Sequence, residues 1–390
     1  MTWYGTGSAV RAMDLWLPYQ RGADLFCALA GKRNLVGGGS GPASRGVAAA
    51  FGELTERRHF ANGSFRERSR VYSELAHPQH GRLRRALQQL RPEQPLAAVE
   101  ELELPSVLCT DLLSGEQVWV PAILIFHRRG TDAERAAVPV TDSSGASYFT
   151  AVGGALQSAY NEFVERQCLL AVWHGARARS QIRLSTQEIE GLLPSSPLAR
   201  DMARGGEVVL ADVSQGLGRY AVLAAFFSEP GLRSVHYAIG GAASVSAEQA
   251  ARSALAELGL SFECMAASPD PESRARAAGD RYRQRFLSAN KPGMREELPF
   301  FSAHGQSLRL RDWSAQPTFS EHCLLERIGA IGATLWGYFA KTPTGYFTKV
   351  LSPDFFLHMA EDPTNRDNTF MRSLELPEIL DRTGTPLPFP

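Results

Sequence analysis

The sequence has no excess charge of either sign: 41 Lys and Arg stand against 41 Asp and Glu, for a formal net charge of zero. No broad field therefore recruits nucleic acid or a membrane surface, and any anionic partner must be held by a local, shaped site. Cysteine is scarce and odd in number, at Cys27, Cys109, Cys168, Cys264 and Cys323. Widely spaced thiols in apolar text such as RQCLLAVW suit reduced core residues of a cytoplasmic protein and not a disulfide framework. No apolar run approaches the roughly 18 residues of a membrane span. Residues 1–20 lack the basic start and apolar stretch of a signal peptide. There is no C-x-x-C and no H-E-x-x-H, which removes the common zinc sites. G-x-x-x-x-G-K-[ST], the protein-kinase motifs and a convincing G-x-G-x-x-G after a strand are missing too, so the familiar phosphate loops are excluded.

What is present fits a soluble globular chain: 44% hydrophobic and 21% charged residues over 390 positions, enough for one large or two ordinary domains. The glycine-rich stretch VGGGSGPASRG (36–46) predicts a break that hands over to a helix in VAAAFGELTERRHF. Residues 66–100 read as a charged, helix-prone surface excursion. SVLCTDLLSGEQVWVPAILIFHRR predicts two strands around a Ser-Gly turn. TDSSGASYFTAVGGALQSAYNEFVERQCLLAVW repeats the plan of loop then helix, and EVVLADVS, RYAVLAAFFSE and SVHYAIGGAAS predict strands, the last running through glycines into the helix SAEQAARSALAELGLSFECMA. Residues 268–300 read as polar and peripheral, while GYFTKVLSPDFFLHM reads as core. Loop-to-helix units with strands around them predict a single α/β or mixed α+β body.

Two of these helices carry Glu-x-x-Glu-Arg. Residues three and four apart share a helix face, so the stripes Ala49, Glu53, Glu56, Phe60 and Ser158, Glu162, Glu165, Leu169 set paired carboxylates between small or apolar residues. A third helix offers Glu257. One copy alone reads as a solvated face with weak ion pairs. Two copies on small and apolar helices, each behind a glycine-rich break, favour a shared cation, because gathered carboxylates repel one another and resist desolvation. Hard oxygen donors suit magnesium, which keeps company with phosphate. Helix starts next to glycine-rich loops can hold phosphate through their N–H groups.

In order and spacing, SRGVAAAFGELTERRHF, DSSGASYFTAVGGALQSAYNEFVERQ and GGAASVSAEQAARSALAELGL resemble the three helix motifs of the YcaO family. GELTERRHF, KVLSPDFFLHM and the closing PFP are similar to the cyclodehydratase subunits of microcin B-type thiazole/oxazole synthetases. The resemblance spans residues 36–390, leaving 1–35 as an N-terminal segment and 384–390 as a Pro-rich tail. It implies a YcaO-type ATP-binding fold of mixed sheets flanked by helices. It also implies an enzyme that uses ATP and Mg2+ to turn Cys, Ser or Thr residues of a ribosomally made precursor peptide into azolines. The side chain attacks the preceding carbonyl, ATP phosphorylates the resulting oxyanion, and phosphate then leaves with the oxygen. Glu53, Glu56, Glu162 and Glu165 would hold magnesium, and Arg166, Ser144, Arg252 and Glu257 would contact ATP. The Pro390 carboxylate, at the end of a Pro-x-Pro-x-Pro tail, would act as general base. The expected partners are a precursor peptide rich in Cys, Ser and Gly, a subunit that recognises its leader, and an FMN-dependent dehydrogenase.

Three positions depart from the family's usual pattern. Thr150 stands where an Asn is common, Gly154 where an acidic residue is, and Ser253 where an Arg is, with Arg252 one place earlier. They leave two other readings open, a non-catalytic scaffold or peptide-binding member and a thioamide- or amidine-forming enzyme. Asp354 and His358, one helical turn apart, read as a capping carboxylate and a core-edge histidine before an acid/base pair. Cys168 reads as a buried thiol and not a nucleophile.

Overall fold

The computed structural model describes residues 13–21, 24–31, 36–39, 43–62, 68–71, 80–90, 101, 103–126, 131–138, 142–193, 202, 204–229, 235–266, 289–301, 306–357, 359, 366–380 and 387–389. The long helices are α1 (Ala43–Asn62), α2 (His80–Leu90), α3 (Val152–Trp173) and α4 (Ala247–Ala266). The chain divides into two compact units, Met1–Leu54 with Arg177–Ser320 and Thr385–Pro390, and Thr55–Ala176 with Glu321–Gly384. The division falls within α1. No described helix is long and apolar enough to cross a membrane.

In the first unit, β1 (Met13–Arg21), β2 (Asp24–Gly31) and β3 (Val36–Gly39) form an antiparallel sheet. The predicted glycine-rich break therefore opens as a strand: Gly37, Gly38 and Gly39 lie opposite Leu29, Ala28 and Cys27. A waiting neighbour supplies the ladder that residue propensity does not. The second sheet joins β8 (Ser180–Arg183), β9 (Gly206–Asp212), β10 (Tyr220–Ser228), β11 (Tyr237–Ser244) and β12 (Gln306–Ser307) in the order β11-β10-β9-β8-β12. Only β12 runs parallel to its neighbour. The three strands predicted from apolar runs are β9, β10 and β11, and nearly every β10 residue is buried. Helix α4 packs on β10 and β11. Gly240 permits this contact, since a Cβ there would lie 2.2 Å from the Leu258 backbone nitrogen. Leu255, Leu258 and Phe262 close the core, Phe262 edge-on to Phe226 at 5.0 Å. Each such fully buried side chain contributes about 1.5–3 kcal/mol.

The second unit is built on β4 (Arg68–Val71), β5 (Glu103–Asp111), β6 (Gln117–Pro121), β7 (Ala146–Phe149), β13 (Trp336–Thr342) and β14 (Gly345–Leu351). Their order is β4-β5-β13-β14-β7, with β6 also on β5, and every pairing is antiparallel. The β5–β6 hairpin turns at Ser-Gly as the sequence predicts, with Gly115 at φ 80°. Past Pro121 the chain coils into a helical turn, Ala122–Ile125, and all four of its residues join the core. The cluster includes Phe60, Leu87, Val107, Val120, Phe126 and Phe347. The predicted surface excursion is thus partly structural, since β4 pairs with β5 and α2 buries Leu83, Ala86 and Leu87. Helix α3 packs on β7 and β14. Of the stretch 268–300 only residues 289–300 are described, and Met294, Leu298 and Phe300 there are buried, not peripheral.

Candidate functional site

Helix α3 runs 22 residues and turns its Val164, Cys168, Leu169 and Val172 inward. The same packing draws Glu165 in, leaving it 7% exposed, while Glu162, three residues earlier, stays partly buried. Arg166 follows on the same surface, its Nε 3.5 Å from Glu165 Oε1 and 3.8 Å from Glu162 Oε1. The guanidinium compensates only in part. Burial drives the Glu165 carboxyl up to about 7 against the pull of Arg166, with Glu162 adding to the rise. Burial likewise holds Glu162 well above the carboxylate range, opposed by Arg166 and Lys349 and reinforced by Glu56 and Asp142. Glu165 Oε1 is buried and accepts no hydrogen bond.

The second unit therefore brings Glu56 of α1 within electrostatic reach of Glu162, and Glu162 together with Glu165 and Arg166. Glu53 is partly buried one turn before Glu56, on the part of α1 that groups with the first unit. Ser144 donates its backbone N–H to Asp142 Oδ1 at 3.0 Å. In the first unit, Glu257 Oε2 accepts the Gly241 N–H at 3.0 Å on the edge strand β11. Arg252 is engaged by Glu248 at 2.7 Å and by the Leu192 carbonyl at 2.7 Å. Pro390 and His358 lie outside the described residues. Just before Pro390, Leu387, Pro388 and Phe389 are buried, and the Tyr237 hydroxyl donates to the Pro388 carbonyl at 2.9 Å.

A divalent cation fits these donors. They are hard carboxylate oxygens, one of them buried without a hydrogen bond, in a place that resists their charge. Among the described residues no three His, Cys, Asp or Glu side chains are already gathered as a metal cage.

Two neighbours escaped the sequence reading. Lys349 on β14 is 3% exposed, and burial pulls its ammonium down to about 8 against Asp142, Glu162 and Glu56. Asp142 opens the loop before β7, and its one signal was the Asp of TDSSG, a residue type that starts such turns. The departures also have structural accounts. Gly154 lies under the Phe149 ring, and a Cβ there would sit 2.4 Å from Phe149 Cδ1, so any larger residue must displace that ring. Ser253 accepts from the Gln249 amide at 3.1 Å, and Thr150 is exposed. Asp354 caps no helix: it joins Arg82, the Thr334 N–H and the Thr369 hydroxyl at 2.8–3.0 Å, while Asn368 caps the helix Thr369–Ser373. Cys168 is a fully buried thiol that forms no disulfide.

Residues 39–336 match the family model described as YcaO cyclodehydratase, ATP- and Mg2+-binding. The microcin B17-processing protein McbD of Escherichia coli is 24% identical over 334 residues, which cover 82% of each chain. A chain of the E. coli microcin synthetase McbBCD complex shares the fold with a TM-score of 0.79 at 21% identity, covering 97% of this chain and 96% of that one. That complex is also known with pro-MccB17 bound, at a TM-score of 0.76, 21% identity and the same coverage. YcaO from Methanopyrus kandleri, bound with AMPPCP and Mg2+, matches with a TM-score of 0.62 at 18% identity, covering 89% of this chain and 86% of that one. With the model matched over most of the chain and its mixed α+β fold shared with these structures, this protein belongs to the YcaO family of cyclodehydratases.

Proposed function

We propose that the protein catalyses ATP-dependent cyclodehydration of Cys, Ser or Thr residues in a ribosomally made precursor peptide, as one subunit of a cytoplasmic azole synthetase producing a peptide antibiotic. The observation that carries this reading is the Glu56, Glu162, Glu165 and Arg166 cluster, in which burial holds Glu162 and Glu165 above the ordinary carboxylate range and Glu165 Oε1 accepts no hydrogen bond. A thiol or hydroxyl forms a bond to the preceding carbonyl carbon, and the oxyanion takes the γ-phosphoryl group of ATP, releasing ADP. Phosphate then departs with the former amide oxygen as the ring C=N forms and the amide proton is lost. Phosphorylation turns a poor leaving group into a good one, so the protein's task is positioning and charge stabilisation. Bound magnesium would neutralise the phosphates. Glu53, Glu56, Glu162 and Glu165 would hold it, with Arg166, Ser144, Arg252 and Glu257 on the nucleotide. Arg166, already fixed between two carboxylates, would turn its guanidinium to charge developing on the transferring group.

Residues 36–390 would act as one catalytic domain, with the Pro390 carboxylate as general base. The buried stretch 387–389 supports a fixed path for the tail. A leader-recognition subunit and an FMN-dependent dehydrogenase would supply capture and oxidation. The test is to mix the protein with its genomic-neighbour peptide and subunits and follow mass. ATP- and Mg2+-dependent loss of one water per ring is expected. Intact peptide with ATP unconsumed would instead support a scaffold, and oxygen exchanged for sulfur or nitrogen a thioamide or amidine former.

A further inference from the structure

Strand β14 alternates, and Phe347, Lys349 and Leu351 share one face. Phe347 and Leu351 join the apolar cluster that includes Phe60. The position between them calls for an apolar residue, yet a lysine occupies it, 3% exposed. A buried ammonium is retained only with compensating partners. Its Nζ donates to the Asp142 backbone carbonyl at 2.7 Å and lies 4.8 Å from the Phe60 ring centroid. That carbonyl is itself fixed, because the Asp142 carboxylate accepts the backbone N–H groups of Ser144 at 3.0 Å and Met359 at 2.5 Å. The strand is registered too, with Lys349 opposite Ala146 on β7. Phe60 stands one helical turn after Glu56 on α1, and α3, which carries Glu162, packs on β14, so the ammonium sits among the elements that bear both glutamates, where carboxylates favour its charge.

We propose that Lys349 is a positioning residue, a resident cation that holds Glu56 and Glu162 together while no metal is bound and cedes that role when magnesium arrives. The inference rests on the reading of these glutamates as magnesium ligands. Its consequence has opposite signs in the two states. Removing the ammonium leaves the carboxylates to repel one another in the metal-free protein, and it also removes a charge that competes with magnesium, so the metal should bind more tightly. A lysine that merely filled space would cost stability equally with and without metal.

The experiment compares the wild type, Lys349→Met, Lys349→Arg, Glu162→Gln and the Lys349→Met/Glu162→Gln pair. Thermal melting is followed in EDTA and in Mg2+ with AMPPCP, and Mg2+ affinity is measured by calorimetry with AMPPCP present. In EDTA, Lys349→Met should melt about 4–8 °C lower. Mg2+ with AMPPCP should remove most of that loss, and Mg2+ should bind at least about threefold more tightly than to the wild type. Lys349→Arg should resemble the wild type. In EDTA the added Glu162→Gln should recover part of the loss, which is non-additivity of directly coupled charges. Equal losses in both buffers, unchanged Mg2+ affinity and strict additivity would overturn the proposal. If Lys349→Met fails to fold, recovery of folded protein in the double variant supports the role, and continued misfolding counts against it. Failure of the wild type to bind Mg2+ with AMPPCP would sink the magnesium reading alone, and the EDTA comparison would still decide the part Lys349 plays.

Discussion

Asp212 in the first unit and Glu165 in the second are both buried carboxylates, yet their surroundings are opposite. Asp212, at the end of β9, accepts the Ser214 N–H at 3.0 Å and hydroxyl at 2.5 Å on Oδ1, and the Trp313 indole N–H at 3.0 Å on Oδ2. These contacts stay within that unit, and the Trp313 bond ties the strand end to the short helix Leu310–Ser314. Glu165 has one arginine at 3.5 Å, a second carboxylate as neighbour, and an oxygen with no hydrogen bond. A carboxylate that the fold satisfies serves the fold. One whose charge the fold resists is poised for a cation from outside.

The strongest way to break this comparison is to neutralise each. Glu165→Gln should cut ATP-dependent ring formation by at least about 100-fold, the scale of losing one electrostatic stabiliser. It should leave the metal-free melting temperature unchanged or raised; a matching loss of stability would make Glu165 another Asp212. Asp212→Ala should do the reverse. Leaving the Trp313 and Ser214 donors unsatisfied should cost about 2–4 kcal/mol by urea titration, with Mg2+ affinity of the folded fraction unchanged. The pH response sharpens the contrast. The folded state holds the Glu165 proton more tightly than the unfolded chain, so stability is intact below about pH 4.5 and falls as pH rises through about 7. The loss should total about 3–4 kcal/mol in EDTA and shrink with Mg2+ and AMPPCP, read from urea melts across that window. The smallest effect belongs to Tyr237→Phe, which removes the hydroxyl from the Pro388 carbonyl and should cost about 1 kcal/mol, with the loss confined to the first unit by hydrogen exchange.

The helices bearing the glutamates were legible because helical spacing is written locally: Glu56, Glu162 and Glu165 fall on the helices their text predicts. Strands β9, β10 and β11 were legible for a similar reason, as unbroken apolar runs. Strand β3 was not, since three successive glycines hold no pattern and extend only because β2 lies alongside. Lys349 could not be read as a site neighbour either. Its place depends on β14 pairing with β7, some 200 positions earlier in the chain, and on Asp142 being locked by Ser144 and Met359. Asp354 resembled a cap in its own heptapeptide, whereas two of its partners, Arg82 and Thr334, come from distant text. What the sequence conceals is which distant segments meet.

The buried run 387–389 also bears on how the protein is born. It belongs to the unit that begins with Met1 and is interrupted by residues 55–176 and 321–384, and those two stretches make up the other unit. Neither body is a contiguous piece of chain. While the ribosome works, β10 and β11 emerge long before the segment that meets Tyr237, so the first unit stays open at that surface until residue 388 leaves the exit tunnel. Contacts between such distant segments form slowly and leave apolar surface exposed meanwhile. A chain that stops before residue 387 would have a first unit without the segment that meets Tyr237.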